Sequence, residues 1–246
     1  MIERSRVTIL YPARTGVRFD FGYYVPSHLP LAVGTSLRHA AIIGCDASRP
    51  INTDTPYACI CTVEFEAPEA MDGFRHFFTS GHPETARILH DEPNYTDITP
   101  LFVAGLARGD VAPRPAPETI GYRMQLVFPA PAASRFDHKA FAELAPLRQL
   151  ELDIPGIHTE LDSMTAGLMP DSAPEIHCIW TGWVPDRGAL DALATRWSGS
   201  SGANIRTRLS QVTNAPPQAV FAEVLTLDMA RARSVARRGQ SMRSDT

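Results

Sequence analysis

Three polar side chains recur at intervals of four residues near the start of the chain: Asp20, Tyr24 and His28. Residues four apart share one face of an α-helix, so a helix here would present all three in one direction. A histidine on such a face can exchange a proton with a carbon or oxygen atom near neutral pH. The spacing indicates a general acid/base site, with Tyr24 donating to a substrate carbonyl and Asp20 capping the helix. The alternative is a core histidine whose ring bonds a backbone carbonyl.

A second polar cluster, Asn94, Tyr95 and Asp97, lies between two prolines. A loop held in this way is typical of segments that position polar groups over a cleft. Tyr95 is expected to stabilise an enolate as a hydrogen-bond donor, and Asn94 to bind the substrate. Asp97 is expected either to orient His28 or to form a turn with nearby backbone.

The chain also repeats itself. Arg18-Phe19-Asp20 recurs as Arg135-Phe136-Asp137, a displacement of 135 − 18 = 117 residues, and the same displacement carries Cys61 onto Cys178. A period this long exceeds the roughly 20–50 residues of solenoid repeats and predicts a duplicated domain.

The second copy lacks nearly all the candidate polar residues. The displacement places His28 on Ala145, Tyr24 on Phe141, Asn94 on Gln211, Tyr95 on Val212 and Asp97 on Asn214. Because the fold evidently does not need these polar groups, their presence in the first copy predicts that the chemistry lies there.

Each copy is predicted to fold as β-α-β-β-α-β, the ferredoxin-like arrangement of the α+β class. The predicted strands cover 6–12, 40–45, 57–66, 101–106, 122–128, 176–183 and 219–225, and the predicted helices cover 20–37, 69–79, 137–150 and 186–197. Segment 46–55 is expected to be a loop. The bare faces of the two sheets are expected to bury each other.

The predicted organisation is a first domain over 1–109, a proline-rich linker over 110–119 and a second domain over 120–229. The remaining stretch, 230–246, is rich in arginine and poor in large apolar residues, so it is expected to be a disordered tail.

Composition narrows the choice of partners. The chain is 44% hydrophobic and 20% charged, with a formal net charge of −4, which is typical of a soluble globular protein and gives no basic field for nucleic acid. No apolar run approaches the roughly 20 residues needed to cross a membrane, so the cytoplasm is the expected location. The four cysteines are expected to be buried and reduced. His76, His82 and His90 share no ligand spacing and are expected at the surface, with no metal bound.

The motifs Tyr11-Pro12…Arg18-Phe19-Asp20…Tyr23-Tyr24…His28-Leu29-Pro30-Leu31 and Asn94-Tyr95-Thr96-Asp97-Ile98-Thr99-Pro100 resemble the EthD family of the dimeric α/β-barrel superfamily. The resemblance implies a barrel that family members build from two chains and that the duplication builds within one, as a monomer or a further homodimer. It also implies a cleft between sheet and helices, and substrate contacts from Tyr11 and Phe65.

Relatives in this superfamily include cofactor-independent isomerases, cyclases, dehydratases and decarboxylases of aromatic or polyketide-like molecules. The resemblance thus implies a cofactor-free enzyme whose partner is a small-molecule substrate. Two alternatives stay open: a non-catalytic binder of a small molecule, and a haem protein in which His28 is the iron ligand.

Overall fold

The computed structural model describes residues 2–52, 54–109, 114–130, 141, 154–167, 175–213 and 215–241. The strands in these ranges are β1 (Ile2–Pro12), β2 (Ile42–Pro50), β3 (Tyr57–Phe65), β4 (Leu101–Gly109), β5 (Ile120–Pro129), β6 (His158–Gly167), β7 (Ile176–Val184) and β8 (Gln218–Thr226). They form one closed antiparallel barrel in the order β1-β3-β2-β8-β5-β7-β6-β4.

Each half of the chain contributes four adjacent strands to this barrel. The first half supplies β4-β1-β3-β2 and the second supplies β8-β5-β7-β6. The halves join at two seams, where β2 pairs with β8 and β4 pairs with β6. The predicted α+β barrel of two ferredoxin-like units is therefore confirmed.

Helices flank each half. The first half carries α1 (Phe21–Tyr23), a π-helical turn (Tyr24–His28), α2 (Leu29–Ser36), α3 (Pro68–Thr79), α4 (Pro83–Asp91) and a 3₁₀ turn (Glu92–Asn94). The second half carries α5 (Arg187–Ser198) and α6 (Ser200–Thr213), and α7 (Met229–Ser241) follows β8. The predicted helix over 137–150 lies outside the described residues, apart from Phe141. None of the helices in the described ranges combines the length and the apolar character needed to cross a bilayer.

Alternation along β1 separates two kinds of core. Val7, Ile9 and Tyr11 face the helices and belong to the core of the first half. Arg6 and Leu10 point the other way, into the barrel, as period-two alternation in a strand requires. The barrel interior is therefore distinct from the cores that lie between the sheet and the helices.

The barrel interior combines an apolar cluster with paired charges that cross between the halves. Arg6 on β1 donates to Asp162 on β6 at 2.8 Å. Arg123 occupies the matching place on β5 (123 − 6 = 117), where it pairs with Asp46 at 2.8 Å and donates to Ser48 at 2.7 Å. The same cation thus ties each half to the other.

The segment that joins the halves takes part in this network. Arg114 contacts Asp46 at 3.0 Å and Glu64 at 2.6 Å, and both carboxylates are buried in the barrel. The side chain of Arg114, in the predicted linker, therefore takes part in the charge network of the barrel, while residues 110–113 lie outside the described ranges.

Strand pairing corrects the assumption of a gap-free repeat. Tyr11 lies opposite Cys59 and Phe128 lies opposite Cys178, so β1 and β5 differ by 117 residues but β3 and β7 differ by 178 − 59 = 119. The match of Cys61 with Cys178 is wrong by two residues. The offset returns to 117 at β4 and β8. Connecting loops tolerate such insertions, which explains why the shift is confined to the middle of the unit.

Two predicted irregular segments are ordered. Strand β2 continues through Pro50, inside the predicted loop 46–55, because its second half pairs with β8. The prediction of a disordered tail is wrong for residues 230–241, which belong to α7. This helix packs on α2: Ala232 is fully buried, and a Cβ atom added to Gly34 would lie 2.6 Å from the carbonyl oxygen of Ala232. Residues 242–246 lie outside the described ranges. Strand β6 had no predicted counterpart.

The cysteines are as expected. Cys45, Cys59, Cys61 and Cys178 are all buried with free thiols. Burial raises the pKa of Cys59 and Cys178 well above the ordinary value, so these thiols stay protonated and unreactive.

Candidate active site

The helix after β1 is interrupted at the residues that could carry chemistry. Asp20 caps its start by accepting from the backbone N–H of Tyr23 at 3.1 Å, as expected. Pro26 has no N–H to donate and its ring would clash with the preceding turn, so it cannot continue a regular α-helix. The chain widens into the π-helical turn, which closes when Leu29 N–H donates to the carbonyl of Tyr24. Such turns recur at functional sites.

This wider turn places Tyr24 directly beside His28. Their rings lie nearly parallel, 5.4 Å apart between centroids with an interplanar angle of 17°. Both side chains are buried, with exposed fractions of 1% and 4%. The predicted grouping of these two residues is therefore correct in outcome, although a π-helical turn produces it.

Both rings line a cavity between the sheet and the helices of the first half. Its other walls are mostly apolar and are formed by Ile9, Tyr11, Leu29, Ala32, Val33, Cys61, Val63, Phe74, Phe78, Ile88, Glu92 and Phe102. The space between these side chains and the cavity mouth totals about 430 Å³, but the part wide enough for a water molecule is about 30 Å³. An accessible volume of about 30 Å³ accommodates one or two water molecules.

His28 is held at both ring nitrogens. Its Nδ1 lies 2.9 Å from a carboxylate oxygen of Asp91, and its Nε2 lies 3.3 Å from the hydroxyl of Tyr95. The Tyr95 hydroxyl is 3.1 Å from that of Tyr11, which in turn lies 3.5 Å from that of Tyr24. A carboxylate only accepts, so Nδ1 carries the proton and Nε2 is the basic nitrogen of the neutral ring.

Asp91 anchors the outer end of this chain of groups. Its carboxylate also accepts from the hydroxyl of Tyr23 at 2.8 Å and from the side-chain amide of Asn94 at 2.9 Å. Asp91 and Tyr23 border an open surface cleft of about 530 Å³. The hydrogen-bonded chain therefore runs from the buried cavity to solvent.

Burial and hydrogen bonding set the protonation states. Burial lowers the pKa of His28 below its usual value of 6.5, although the Asp91 carboxylate opposes this shift, so the ring is neutral at pH 7. Partial burial alone would raise the pKa of Asp91, but hydrogen bonds from His28, Asn94 and Tyr23 outweigh it and lower that pKa. Burial raises the pKa of Tyr11, Tyr24 and Tyr95, so their hydroxyls are donors.

The orienting role expected of Asp97 falls to Asp91. Asp97 instead accepts from the backbone N–H of Arg18 at 2.8 Å and fixes the loop before α1, the second of the two roles left open for it. Asn94 acts on the carboxylate of Asp91, so it is a positioning residue of the site.

Two other expectations need correction. Phe65, expected to contact substrate, packs against Phe74 at 5.2 Å between ring centroids in the core, and it is not among the residues that line the cavity. Tyr95 is fully buried, bridges His28 to Tyr11 and is not among the residues that line the cavity, whereas Tyr11 is among them.

Glu92 is a further cavity residue that the motifs did not identify. Burial raises the pKa of its carboxyl group, so it is protonated more readily than an exposed glutamate. A signal was present, because neither acid has an acidic counterpart at either displacement: Asp91 falls on Arg208 (117) or Ser210 (119), and Glu92 falls on Leu209 (117) or Gln211 (119). Both acids are thus absent from the second copy, as the other polar residues are.

The second half shows the same packing without the hydroxyls. Phe128 and Phe141 stand where Tyr11 and Tyr24 stand in the first half (128 − 11 = 141 − 24 = 117), and their rings meet edge to face at 4.7 Å. The tyrosine pair also meets edge to face, at 5.6 Å. Ring packing alone therefore does not require the two hydroxyl groups.

The residues present do not fit a haem. The part of the cavity wide enough for a water molecule is about 30 Å³, far smaller than the several hundred Å³ typical of cofactor sites. No step is therefore assigned to haem chemistry.

No protein-family model and no curated protein sequence matches the chain. Among solved structures, an anthrone oxidase-like protein is similar over 90% of this chain and 91% of its own, with 10% identity and a TM-score of 0.59. An EthD-like protein from Ralstonia eutropha JMP134 is 23% identical over 46% of this chain and 97% of its own, with a TM-score of 0.34. A chlorite dismutase from Candidatus Nitrospira defluvii is 11% identical over 94% and 95%, with a TM-score of 0.45. Together with the barrel described above, the first likeness shows that this chain has the dimeric α/β-barrel fold.

Proposed function

We propose that the chain is an enzyme that moves a proton beside the carbonyl group of an apolar, ring-bearing metabolite, using the cavity of the first half. The observation that carries this proposal is the setting of His28: a buried imidazole with a lowered pKa, fixed in one tautomer by Asp91. We further propose, from its two motifs, that the first half is an EthD-like unit.

In this mechanism the substrate takes the place of the Tyr95 hydroxyl at Nε2 of His28, and this nitrogen removes a proton from the carbon next to the carbonyl. The imidazolium that forms is stabilised by Asp91, which is hydrogen-bonded to Nδ1. Tyr11 and Tyr24 donate to the developing enolate oxygen, since their hydroxyls stay protonated.

A second titratable group completes the cycle. Glu92 lines the same cavity and burial raises the pKa of its carboxyl group, so it can return a proton to the substrate and recover one from the imidazolium of His28 afterwards. Isomerisation, cyclisation, dehydration and decarboxylation all use such steps.

The apolar walls define the substrate class. A ring-sized molecule needs more room than the cavity has, so binding must displace wall side chains. Phe78 and Phe102 are the candidates, because both are only partly buried and their ring centroids lie 6.2 Å apart.

A second candidate function is binding without chemistry. The observation that favours it is the predominance of apolar residues in the cavity wall, since such pockets also serve small-molecule carriers. The two functions differ in whether a bound molecule exchanges its protons.

The test is solvent deuterium exchange into a panel of cyclic aryl ketones with acidic C–H bonds, followed by proton NMR. We expect the wild-type protein to accelerate exchange of at least one ketone, and His28→Ala to remove roughly 10²-fold or more of that acceleration. The matched control is His90→Ala, which removes an exposed histidine one residue from Asp91 and should leave the rate unchanged.

Two outcomes would count against catalysis. Ketones that bind without exchange in the wild-type protein would favour the carrier function. Equal rates in the wild-type and His28→Ala proteins would remove His28 from the mechanism.

A further inference from the structure

A second cluster of ligand-type side chains lies apart from the cavity, where α2 and α4 approach each other. It consists of His39, His82 and Glu84, and one donor atom of each lies within 4.8 Å of the others. His82 and Glu84 are partly buried, and the side chain of His39 is 28% exposed. The side chains come from the connection after α2, the N-cap of α4 and its first turn, so the fold brings them together.

The cluster is held in place by its surroundings. The ring of His39 stacks on Phe77 at 4.4 Å between centroids and 13° between planes. The backbone there approaches α3 so closely that a Cβ on Gly73 would lie 2.7 Å from the carbonyl oxygen of His39. His82 follows Gly81, whose φ of +71° lies in the region that favours glycine.

The donor separations suit a small transition-metal ion. His39 Nε2 lies 3.3 Å from Glu84 Oε2. Two ligands on a tetrahedral zinc ion with bonds of 2.0–2.1 Å lie roughly 3.3 Å apart, so this pair needs little rearrangement. The donor atom of His82 lies within 4.8 Å of both, so it moves closer when an ion binds. Its Nδ1 accepts from the backbone N–H of Glu84 at 3.2 Å, which leaves Nε2 as the ligand nitrogen.

The residues around the cluster orient Glu84 for metal binding. Arg38 pairs with the other carboxylate oxygen, Oε1 of Glu84. This contact leaves Oε2 toward the histidines and orients the carboxylate, as the outer partners of metal ligands commonly do. Two imidazoles and one carboxylate favour zinc, cobalt or nickel over magnesium or calcium, which take oxygen ligands.

We propose that His39, His82 and Glu84 form a binding site for a divalent transition-metal ion of the zinc type. The bound ion joins the end of α2 to the start of α4. Since α4 ends at Asp91, the ion would brace the helix that carries this carboxylate. The proposal stands independently of the catalytic function, and it revises the expectations that His82 is an isolated surface residue and that the chain binds no metal.

The test uses the full chain without a histidine tag, stripped of metal by a chelator. Co²⁺ is titrated by calorimetry and by its visible absorption, with Zn²⁺ and Mg²⁺ as competitors. We expect one Co²⁺ per chain, displacement by Zn²⁺ and no displacement by equimolar Mg²⁺. His39→Phe keeps a ring on Phe77 but has no donor atom, and it should weaken binding at least tenfold, as should Glu84→Gln.

His76→Ala is the matched control, because His76 is an exposed histidine on α3 outside the cluster, and it should bind like the wild-type protein. Circular dichroism of each variant confirms folding before titration. If a variant does not fold, the wild-type chain is used instead: its melting temperature is expected to rise when Zn²⁺ is added and to fall back when EDTA removes the ion. Equal Co²⁺ affinity in the wild-type and His39→Phe proteins, or no rise in melting temperature, would overturn the proposal.

Discussion

At the scale of single residues, the site depends on how His28 is partnered. Desolvation lowers the pKa of His28 and favours the neutral ring, whereas the Asp91 carboxylate raises this pKa and favours the charged ring. Desolvation is the larger effect, so the ring is uncharged at pH 7 yet is already bonded to the group that would stabilise its charged form. That combination suits a base that gains and loses a proton in each cycle.

Asp91→Asn tests this balance. The substitution removes the carboxylate that opposes desolvation, so the pKa of His28 should fall further below 6.5. In the wild-type protein the exchange rate should fall as the pH drops below the pKa of His28, because the protonated ring cannot accept a proton. In the variant the midpoint of this fall should lie at lower pH, and the rate above it should be reduced roughly 10²-fold. NMR titration of the histidine ring and pH–rate profiles measure both effects.

Asp97→Asn is the matched control, because Asp97 bonds the backbone of Arg18 and does not contact His28 among the hydrogen bonds described. An unchanged His28 titration in Asp91→Asn, or an equal shift in Asp97→Asn, would contradict the assignment.

At this scale the sequence identified His28, Tyr24, Tyr95 and Tyr11 but not their carboxylate. The distance between Asp91 and His28 depends on how α4 packs on α2, and no local spacing encodes that packing. The asymmetry between the copies was the stronger signal, since neither Asp91 nor Glu92 has an acidic counterpart in the second copy.

At the scale of elements, the π-helical turn sets the geometry of the site. Pro26 and Pro30 have no backbone N–H groups, so two hydrogen bonds of a regular α-helix cannot form here. The chain forms a wider π-helical turn instead. The sequence predicted a helix over 20–37, and the structure divides that segment into α1, the π-helical turn and α2.

Pro26→Ala tests the turn. Pro26 is exposed, so the substitution removes no buried contact, and the new N–H can return the segment toward α-helical register. We expect the free energy of unfolding to stay within about 1 kcal/mol of wild type, whereas proton exchange falls because His28 rotates away from Tyr95. Denaturant unfolding and the exchange assay measure the two quantities. Unchanged exchange would mean that the turn does not position the ring.

Helix α7 illustrates the limit of composition at this scale. Its arginines and scarcity of large apolar side chains predicted disorder, yet small residues allow it to dock: Gly34 on α2 admits the backbone at Ala232. Close backbone contacts of this kind bury little side-chain area, so hydrophobic patterning does not detect them.

At the scale of the whole molecule, the repeat predicted the barrel correctly, because two half-covered sheets in one chain have a single simple way to bury their bare faces. It did not predict which strands form the seams or that charges occupy the interior. Glu160 illustrates the result: burial alone would raise its pKa, but Arg6 and Arg4 outweigh burial and lower the pKa to about 2. Its contribution to stability is therefore present above its unfolded pKa of about 4.5 and is lost as the pH falls toward 2.

Arg123→Met tests the charge pairs across the seams. Arg123 is almost completely buried, and its loss leaves Asp46 with less compensation inside the barrel. We expect a destabilisation of roughly 3–5 kcal/mol in urea unfolding. The control is Arg49→Met, which breaks an exposed pair with Glu223 across the same seam and should cost less than about 1 kcal/mol. Similar costs for both variants would show that the buried pair has no special role.

Fusion of the halves has a consequence for how such a barrel can evolve. A homodimer encoded by one gene must carry identical clefts, so every substitution appears twice. Here the Phe128–Phe141 pair keeps the packing of its tyrosine counterpart without the hydroxyls, which leaves one half free to serve as scaffold while the other adapts to a ligand. Within the described residues the hydroxyl-lined cavity belongs to the first half, so we expect saturation at one ligand per polypeptide.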